Sequence, residues 1–163
     1  MAEPTQEQAG QDRPSRPVAV RPAIQSDAEA IAALVRQLAF DISLADLCLQ
    51  LASILDHPDH AVYVATLPGT GVAGWVHVFS VLRLGPEPFA VMGGLVVDGA
   101  CRGHGAGRAL VAAAESWTLA HGYRLLRARS RSVRIEAHTF YEALGYRRIK
   151  TQFAFEKALG NHG

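Results

Sequence analysis

The apolar positions of this chain change period several times, and each change marks an element. Val18–Arg21 is apolar and β-branched until Pro22 stops it, which predicts a short strand. Ser26-Asp27-Ala28-Glu29 has the form of a capping box, with the Ser hydroxyl over free amides and the Glu reaching back. Ile31, Leu34, Val35 and Leu38 follow at helical spacing. A second helix is predicted from near Ser43 to Leu55, with Asp46 in its first turn and His57-Pro58 closing it. Ala61–Leu67 alternates, Pro68-Gly69-Thr70-Gly71 is turn chemistry, and Val72–Val81 resumes as a strand; together they read as a hairpin. Pro86 and Pro88 interrupt before another strand, Phe89–Val97. A glycine-rich turn, Gly103–Gly107, precedes an Ala-rich helix over Ala109–His121. Leu110, Ala113, Ala114 and Trp117 share a stripe there, and Gly122 suits its C-terminal cap. Tyr123–Arg129 reads as a strand. Arg134–Leu144 reads as a helix with Ala137, Phe140, Tyr141 and Leu144 on one side, closed by Gly145. Tyr146–Ile149 and Gln152–Glu156 are predicted as short final strands. The order is strand, two helices, three strands, helix, strand, helix, two strands, which predicts a mixed α/β domain over residues 18–159. Residues 1–17, rich in Gln, Glu, Pro and Arg without apolar periodicity, read as a flexible tail, and residues 160–163 as a second short one.

Composition excludes several classes. Of the 163 residues, 49% are apolar and 19% charged, an ordinary globular mixture and not that of a disordered chain. Only Cys48 and Cys101 are cysteines, so no disulfide framework is expected. No apolar run is long enough to span a membrane, and no short one follows a basic start, so a reducing cytoplasm is the expected compartment. The net charge of +1 conceals an asymmetry. Residues 1–101 carry 5 Lys/Arg against 11 Asp/Glu (−6), and residues 102–163 carry 11 against 4 (+7). Such polarity suits a polyanion on one side and equally a solvated basic face. The basic residues are interleaved with apolar ones and no nucleic-acid motif is visible, so nucleic acid is not expected as a partner.

The sharpest chemical feature is Leu95-Val96-Val97-Asp98-Gly99-Ala100-Cys101-Arg102-Gly103-His104-Gly105-Ala106-Gly107-Arg108, a strand running through a glycine turn into a helix. Glycines let several N–H groups converge, and the helix end behind them adds partial positive charge, so phosphate oxygens are the natural ligand. Neither nucleotide fingerprint fits. No Lys follows as in a P-loop, and from Gly103 the third position of a dinucleotide turn is Arg108. A tight connection without a ligand is the other reading of such a turn, and Arg102 and Arg108 at its mouth weigh against it.

Arg102-Gly103-His104-Gly105-Ala106-Gly107 resembles the Arg/Gln-x-x-Gly-x-Gly/Ala signature of the GCN5-related N-acetyltransferase (GNAT) superfamily. Gly93-Gly94-Leu95-Val96-Val97 resembles that family's central strand. The segment Arg134-x-Glu136-Ala137-His138-x-Phe140-Tyr141-Glu142-x-Leu144-Gly145-Tyr146 resembles its last helix and turn. The closing Phe155-Glu156-Lys157-x-Leu159 is similar to the ending of one bacterial branch. The resemblance implies a mostly antiparallel central sheet with a splayed pair of strands and about four helices. It implies an enzyme using acetyl-coenzyme A, without metal, to acetylate a primary amine of a small molecule or of a peptide or protein by direct attack. Transfer of another acyl group and a non-catalytic acetyl-coenzyme A sensor are the alternatives.

On that resemblance, the pyrophosphate falls to the amides of His104, Gly105, Ala106, Gly107 and Arg108, with Arg102 and Gly103 at the turn entrance. The strand Leu95, Val96 and Val97 receives the pantetheine arm through Leu95 and Val97, and the Val97 N–H faces the developing oxyanion. Tyr141 falls where the family places the acid that protonates the departing sulfur, a proton transfer between groups of comparable basicity. Arg134 and His138 fall beside the cofactor, although family helices often carry Asn where Arg134 stands. The family's strand carboxylates have no counterpart in Phe89–Val97. His77, on one strand face with Trp75 and Phe79, is therefore the candidate base, directly or through water. A buried structural histidine is the other reading, and positioning alone can supply much of the rate. The acceptor is expected near the first two helices and Val72–Val81, where negative charge favours a cation. His57-x-x-His60 lacks a nearby third ligand, so no metal site is expected. Cys101 and Cys48 read as packing residues. Family members often dimerise through exposed C-terminal strands, which leaves a homodimer open.

Overall fold

A computed structural model describes residues 17–85 and 87–160; the flexible tail read over residues 1–17 falls almost wholly outside them, as does most of residues 160–163. They form a mixed α/β fold in two compact units, one ending at Ala128 and one beginning at Arg129.

In the first unit the elements run β1 (Ala19–Pro22), α1 (Ala28–Arg36), α2 (Leu44–Leu55), β2 (His60–Leu67), β3 (Gly71–Val81), β4 (Phe89–Val97), α3 (Ala106–Ala120) and β5 (Leu126–Ala128). The five strands make one sheet in sequence order. β1 to β4 pair antiparallel, and β5 joins β4 in parallel after the α3 crossover. The sheet is covered on both faces. Val62 and Val64 of β2 pack with Ile31, Ala32, Leu47 and Leu51 of α1 and α2, and Trp75 lies against this cluster. On the other face Leu110 of α3, fully buried, lies against β3 beside Gly74. Gly74 has no room for a side chain: a Cβ there would lie 2.6 Å from the Val96 carbonyl oxygen and 3.2 Å from Leu110.

Two bulges set the registers. Between Ala65/Thr66 the β2–β3 ladder slips by one residue, which places His60 opposite Phe79 and Val62 opposite His77. Between His77/Val78 the β3–β4 ladder slips again, leaving Gly93 unpaired. β4 and β5 pair only from Ala90–Met92 to Leu126–Ala128, so Gly93–Val97 carry a ladder on one side alone.

Several boundaries differ from the sequence reading. Ser26 does not cap α1. The chain enters through a 3-10 turn, Gln25–Asp27, and the Asp27 carboxylate takes the capping role by accepting from the Ile24 amide at 2.9 Å. Asp27 is buried and is gripped bidentately by Arg21 at 2.7 and 2.8 Å. The Arg21 hydrogen bonds hold its carboxyl below the usual carboxylate range. Replacing it removes the partner of a part-exposed Arg and frees an amide. We expect Asp27→Ala to lower stability by about 2 kcal/mol, measured by urea unfolding. α3 starts three residues earlier than expected because Gly105, at φ 84°, turns the chain directly into it. The strand expected over Tyr123–Arg129 is only Leu126–Ala128.

The second unit holds α4 (Ile135–Ala143), whose chain reverses at Gly145 with φ 89°. The final strands expected at Tyr146–Ile149 and Gln152–Glu156 do not form among the described residues. Alternating apolar residues make a strand only with a ladder partner, and Phe153, Phe155 and Leu159 are exposed instead.

Candidate active site

The turn after β4 is built from short-range bonds that leave its amides free. The Asp98 amide donates to the Ala73 carbonyl at 2.8 Å, anchoring the start. Its carboxylate accepts from Ala100, and its carbonyl accepts from Cys101. His104 Nδ1 lies 3.1 Å from the carbonyls of Cys101 and Arg102; both oxygens only accept, so this nitrogen carries the hydrogen. Gly103 and Gly105 have φ of 81° and 84°, a conformation that side chains disfavour. Ideal Cβ atoms at either position would meet nothing within 4 Å. The glycines are thus needed for backbone shape rather than for clearance from the protein. Among the described residues, none of the amides of residues 103–108 donates to a group outside α3, and Gly105 offers no side-chain cap. The result is an open fan of N–H groups at the positive end of a fifteen-residue helix, flanked by exposed Arg102 and Arg108, neither in an ion pair among the described residues. Such a cradle fits phosphate oxygens. Beside it, the single-sided ladder of Leu95, Val96 and Val97 presents a free backbone edge.

A cavity of about 750 Å³ opens between the α1–α2 pair and the sheet. Ile31, Val35, Leu51, Ile54 and Val62 make its apolar walls, and Trp75 and His77 rise from β3. Asp41 and Asp46, from the connection and the start of α2, supply negative charge. Asp46 accepts from the Ser43 hydroxyl at 2.6 Å, while Ser43 Oγ caps α2 by accepting from the Asp46 amide. The rings of β3 lie directly on bare backbone. A Cβ at Gly94 would stand 2.5 Å from Trp75, and one at Gly93 would stand 2.7 Å from Phe79 and 3.3 Å from His77.

His77 is linked to His60, Nε2 to Nδ1, at 2.9 Å, and His60 stacks on Phe79. Burial, helped by the His60 charge, pushes the His77 pKa down to about 4. His77 is therefore neutral at pH 7. Between about pH 6.5 and 4 the unfolded chain binds a proton at this position and the folded chain does not. Stability must therefore fall as the pH drops through that window, by up to about 3 kcal/mol. Urea unfolding at pH 7.5 and 4.5 checks this, and His77→Gln should flatten most of the difference.

In the second unit Arg134, His138 and Tyr141 follow at helical spacing along one side of α4. His138 Nε2 donates to the Arg131 carbonyl at 3.0 Å, and its buried Nδ1 has no partner among the described residues. Tyr141 is half-buried, edge-on to the rings of Phe140 and Tyr146. Burial raises its phenol pKa, partly offset by the nearby Arg134 charge. The structure thus brings the predicted residues together as two groups, 95–108 in the first unit and 134–141 in the second.

Sequence reasoning missed Asp41, Phe40 and the His60–His77 bond. His57 and His60 pack edge-to-face at 4.6 Å. No group of three metal-binding side chains exists among the described residues, and none of their helices is long and apolar enough to cross a membrane.

Residues 29–146 match the Acetyltransferase (GNAT) family. The chain belongs to that family. It is accordingly an acyl-coenzyme A-dependent N-acetyltransferase by family. Solved structures share the fold. An aminoglycoside N-acetyltransferase bound to coenzyme A superposes with a TM-score of 0.78 at 18% identity, over 88% of this chain and 97% of that one. An aminoglycoside 6'-N-acetyltransferase from Acinetobacter baumannii gives 0.78 at 17%, over 88% and 100%. A putative acetyltransferase from Agrobacterium tumefaciens gives 0.75 at 23%, over 85% and 99%. No curated protein matches the sequence.

Proposed function

We propose that this GNAT-family chain transfers an acetyl group from acetyl-coenzyme A to a small primary amine by direct attack in a ternary complex. The observation that carries the reading is the fan of free amides between Gly103 and Arg108 at the start of α3. It fits a pyrophosphate in charge, in geometry and in its donor-only chemistry. When bound, acetyl-coenzyme A supplies the activated acetyl thioester. The amides of His104, Gly105, Ala106, Gly107 and Arg108 bind the pyrophosphate, with Arg102 and Gly103 at its edge. The backbone of Leu95 and Val97 orients the pantetheine arm along the free edge of β4, with Val96 buried behind it. The Val97 N–H is a donor toward negative charge developing on the carbonyl oxygen. The Tyr141 hydroxyl holds the proton destined for the leaving sulfur, and its raised pKa keeps that proton in place at pH 7. Arg134 and His138 bind on the same helical side.

The acceptor occupies the cavity under α1 and α2, where Asp41 and Asp46 attract a cation. His77 lines the same cavity. Being neutral at pH 7, it is able to take a proton, directly or through water, but with a pKa of about 4 it is a weak base. Positioning therefore carries most of the rate. Two aminoglycoside enzymes share the fold, and a small-molecule amine is the acceptor class they have in common with this proposal.

The test is an amine panel with acetyl-coenzyme A and detection of free thiol, beside the melting temperature with and without coenzyme A. Amine-dependent thiol release with a coenzyme A-induced rise in melting temperature is the expected result. A rise in melting temperature without thiol release for any amine would mark a binder rather than an enzyme and overturn the proposal.

A further inference from the structure

We infer that the cavity under α1 and α2 selects a primary amine carried on a single apolar body, such as an alkyl or arylalkyl chain, over a polyhydroxylated polyamine. The inference rests on the proposal that this cavity receives the acceptor, and it names the class.

Its basis is the balance of the lining. Ile31, Val35, Leu51, Ile54, Val62 and the indole of Trp75 face a space of about 750 Å³. That is within the usual range of small-molecule sites. Carboxylates are confined to Asp41 and Asp46, at the connection into α2 and its first turn. Among the described residues neither has a cationic partner. Asp46 already accepts from the Ser43 hydroxyl, whereas Asp41 has no hydrogen-bond partner among the described residues. A ligand with one ammonium group and a hydrocarbon body would satisfy that pattern, with charge near Asp41 and apolar carbon along the walls. Beyond the two carboxylates only Ser43, Gln50 and His77 offer polar side chains. A sugar-based polyamine would therefore place many of its hydroxyls against Leu, Ile and Val, which offer them no partners, and unpaired buried polar groups are costly. The rings of Trp75 and His77 lie close against the backbone of Gly94 and Gly93, and His77 is the one polar side chain of that floor besides the indole N–H. Trp75 Nε1 is buried without a partner among the described residues.

The experiment uses the full chain saturated with coenzyme A and measures binding by calorimetry. The probes are butylamine, pentylamine, hexylamine and phenethylamine, with neamine as the polyhydroxylated comparison. Each added methylene should tighten binding roughly fourfold. Hexylamine and phenethylamine should bind at least tenfold tighter than neamine. Asp41→Asn, at an exposed position, should weaken hexylamine about threefold without changing the methylene increment. Ile54→Asn should flatten the series; should it fail to fold, the wild-type series still decides. A flat series, or neamine binding tighter than hexylamine, overturns the inference. Acetylation of neamine in preference to the alkylamines would overturn it while leaving acetyl transfer standing. A steep series with no thiol release from acetyl-coenzyme A would uphold the ligand class and overturn the transferase proposal instead.

Discussion

Replacing Gly105 by Glu should reduce affinity for coenzyme A by more than about 100-fold, read by calorimetry or by loss of the coenzyme A-induced rise in melting temperature. Two effects act together. Gly105 holds φ 84°, where a side chain costs about 1–2 kcal/mol in backbone strain. That strain distorts the bend that aims the neighbouring amides. The added carboxylate then sits at the end of α3, where the helix favours an incoming anion, and it competes for the amides and repels phosphate. No steric clash with the protein is involved, since a Cβ at this position meets nothing within 4 Å. Gly105→Ala separates the terms: it keeps the strain without the charge, and affinity should fall by about tenfold or less. Binding of coenzyme A to Gly105→Glu at wild-type strength would place the phosphate site elsewhere.

The second large effect is expected at Tyr141. Tyr141→Phe keeps the ring and its edge contacts with Phe140 and Tyr146 and removes only the hydroxyl. If that hydroxyl supplies the proton to sulfur, kcat should fall about 100- to 1000-fold while coenzyme A affinity stays within about threefold. Burial raises the phenol pKa, so the alkaline loss of wild-type kcat that reports this acid should come at a higher pH than an ordinary phenol would give. An unchanged kcat in the Phe variant would reduce Tyr141 to a packing residue of α4.

The residues that could be found by eye are those whose role follows from local shape. Gly103, Gly105 and Gly107 sit at the junction of an apolar strand and an Ala-rich helix, and the free amides are where that junction places them. Tyr141 and His138 follow from helical spacing. The relation of His60 to His77 could not be read in this way. Counting back from the hairpin turn, where Leu67 pairs Gly71, pairs His60 with Val78 and puts the two histidines on opposite faces. The bulge near Ala65 shifts the count by one and brings them to 2.9 Å. The extra residue is Ala73 of β3, which stands unpaired between Val72 and Gly74. Ser26 failed as a cap for a related reason: the neighbouring Asp27 has both the part-exposed Arg21 and the Ile24 amide within reach, and a tertiary ion pair outweighs a local hydroxyl. The last two strands failed because alternation records which face would be apolar, not whether a neighbour exists to complete the ladder.

The two adjacent glycines of β4 bear on how this enzyme could change its acceptor. Because Trp75, His77 and Phe79 also lie against the main chain of Gly93 and Gly94, no single substitution at position 93 or 94 can reshape that floor gently; the smallest available replacement already drives into an aromatic ring. New acceptor preferences would have to arise across the cavity, on the connection that carries Phe40 and Asp41 and on the outer turns of α2. One wall is thereby frozen by its own backbone, and the opposite one is left as the part that selection can retune.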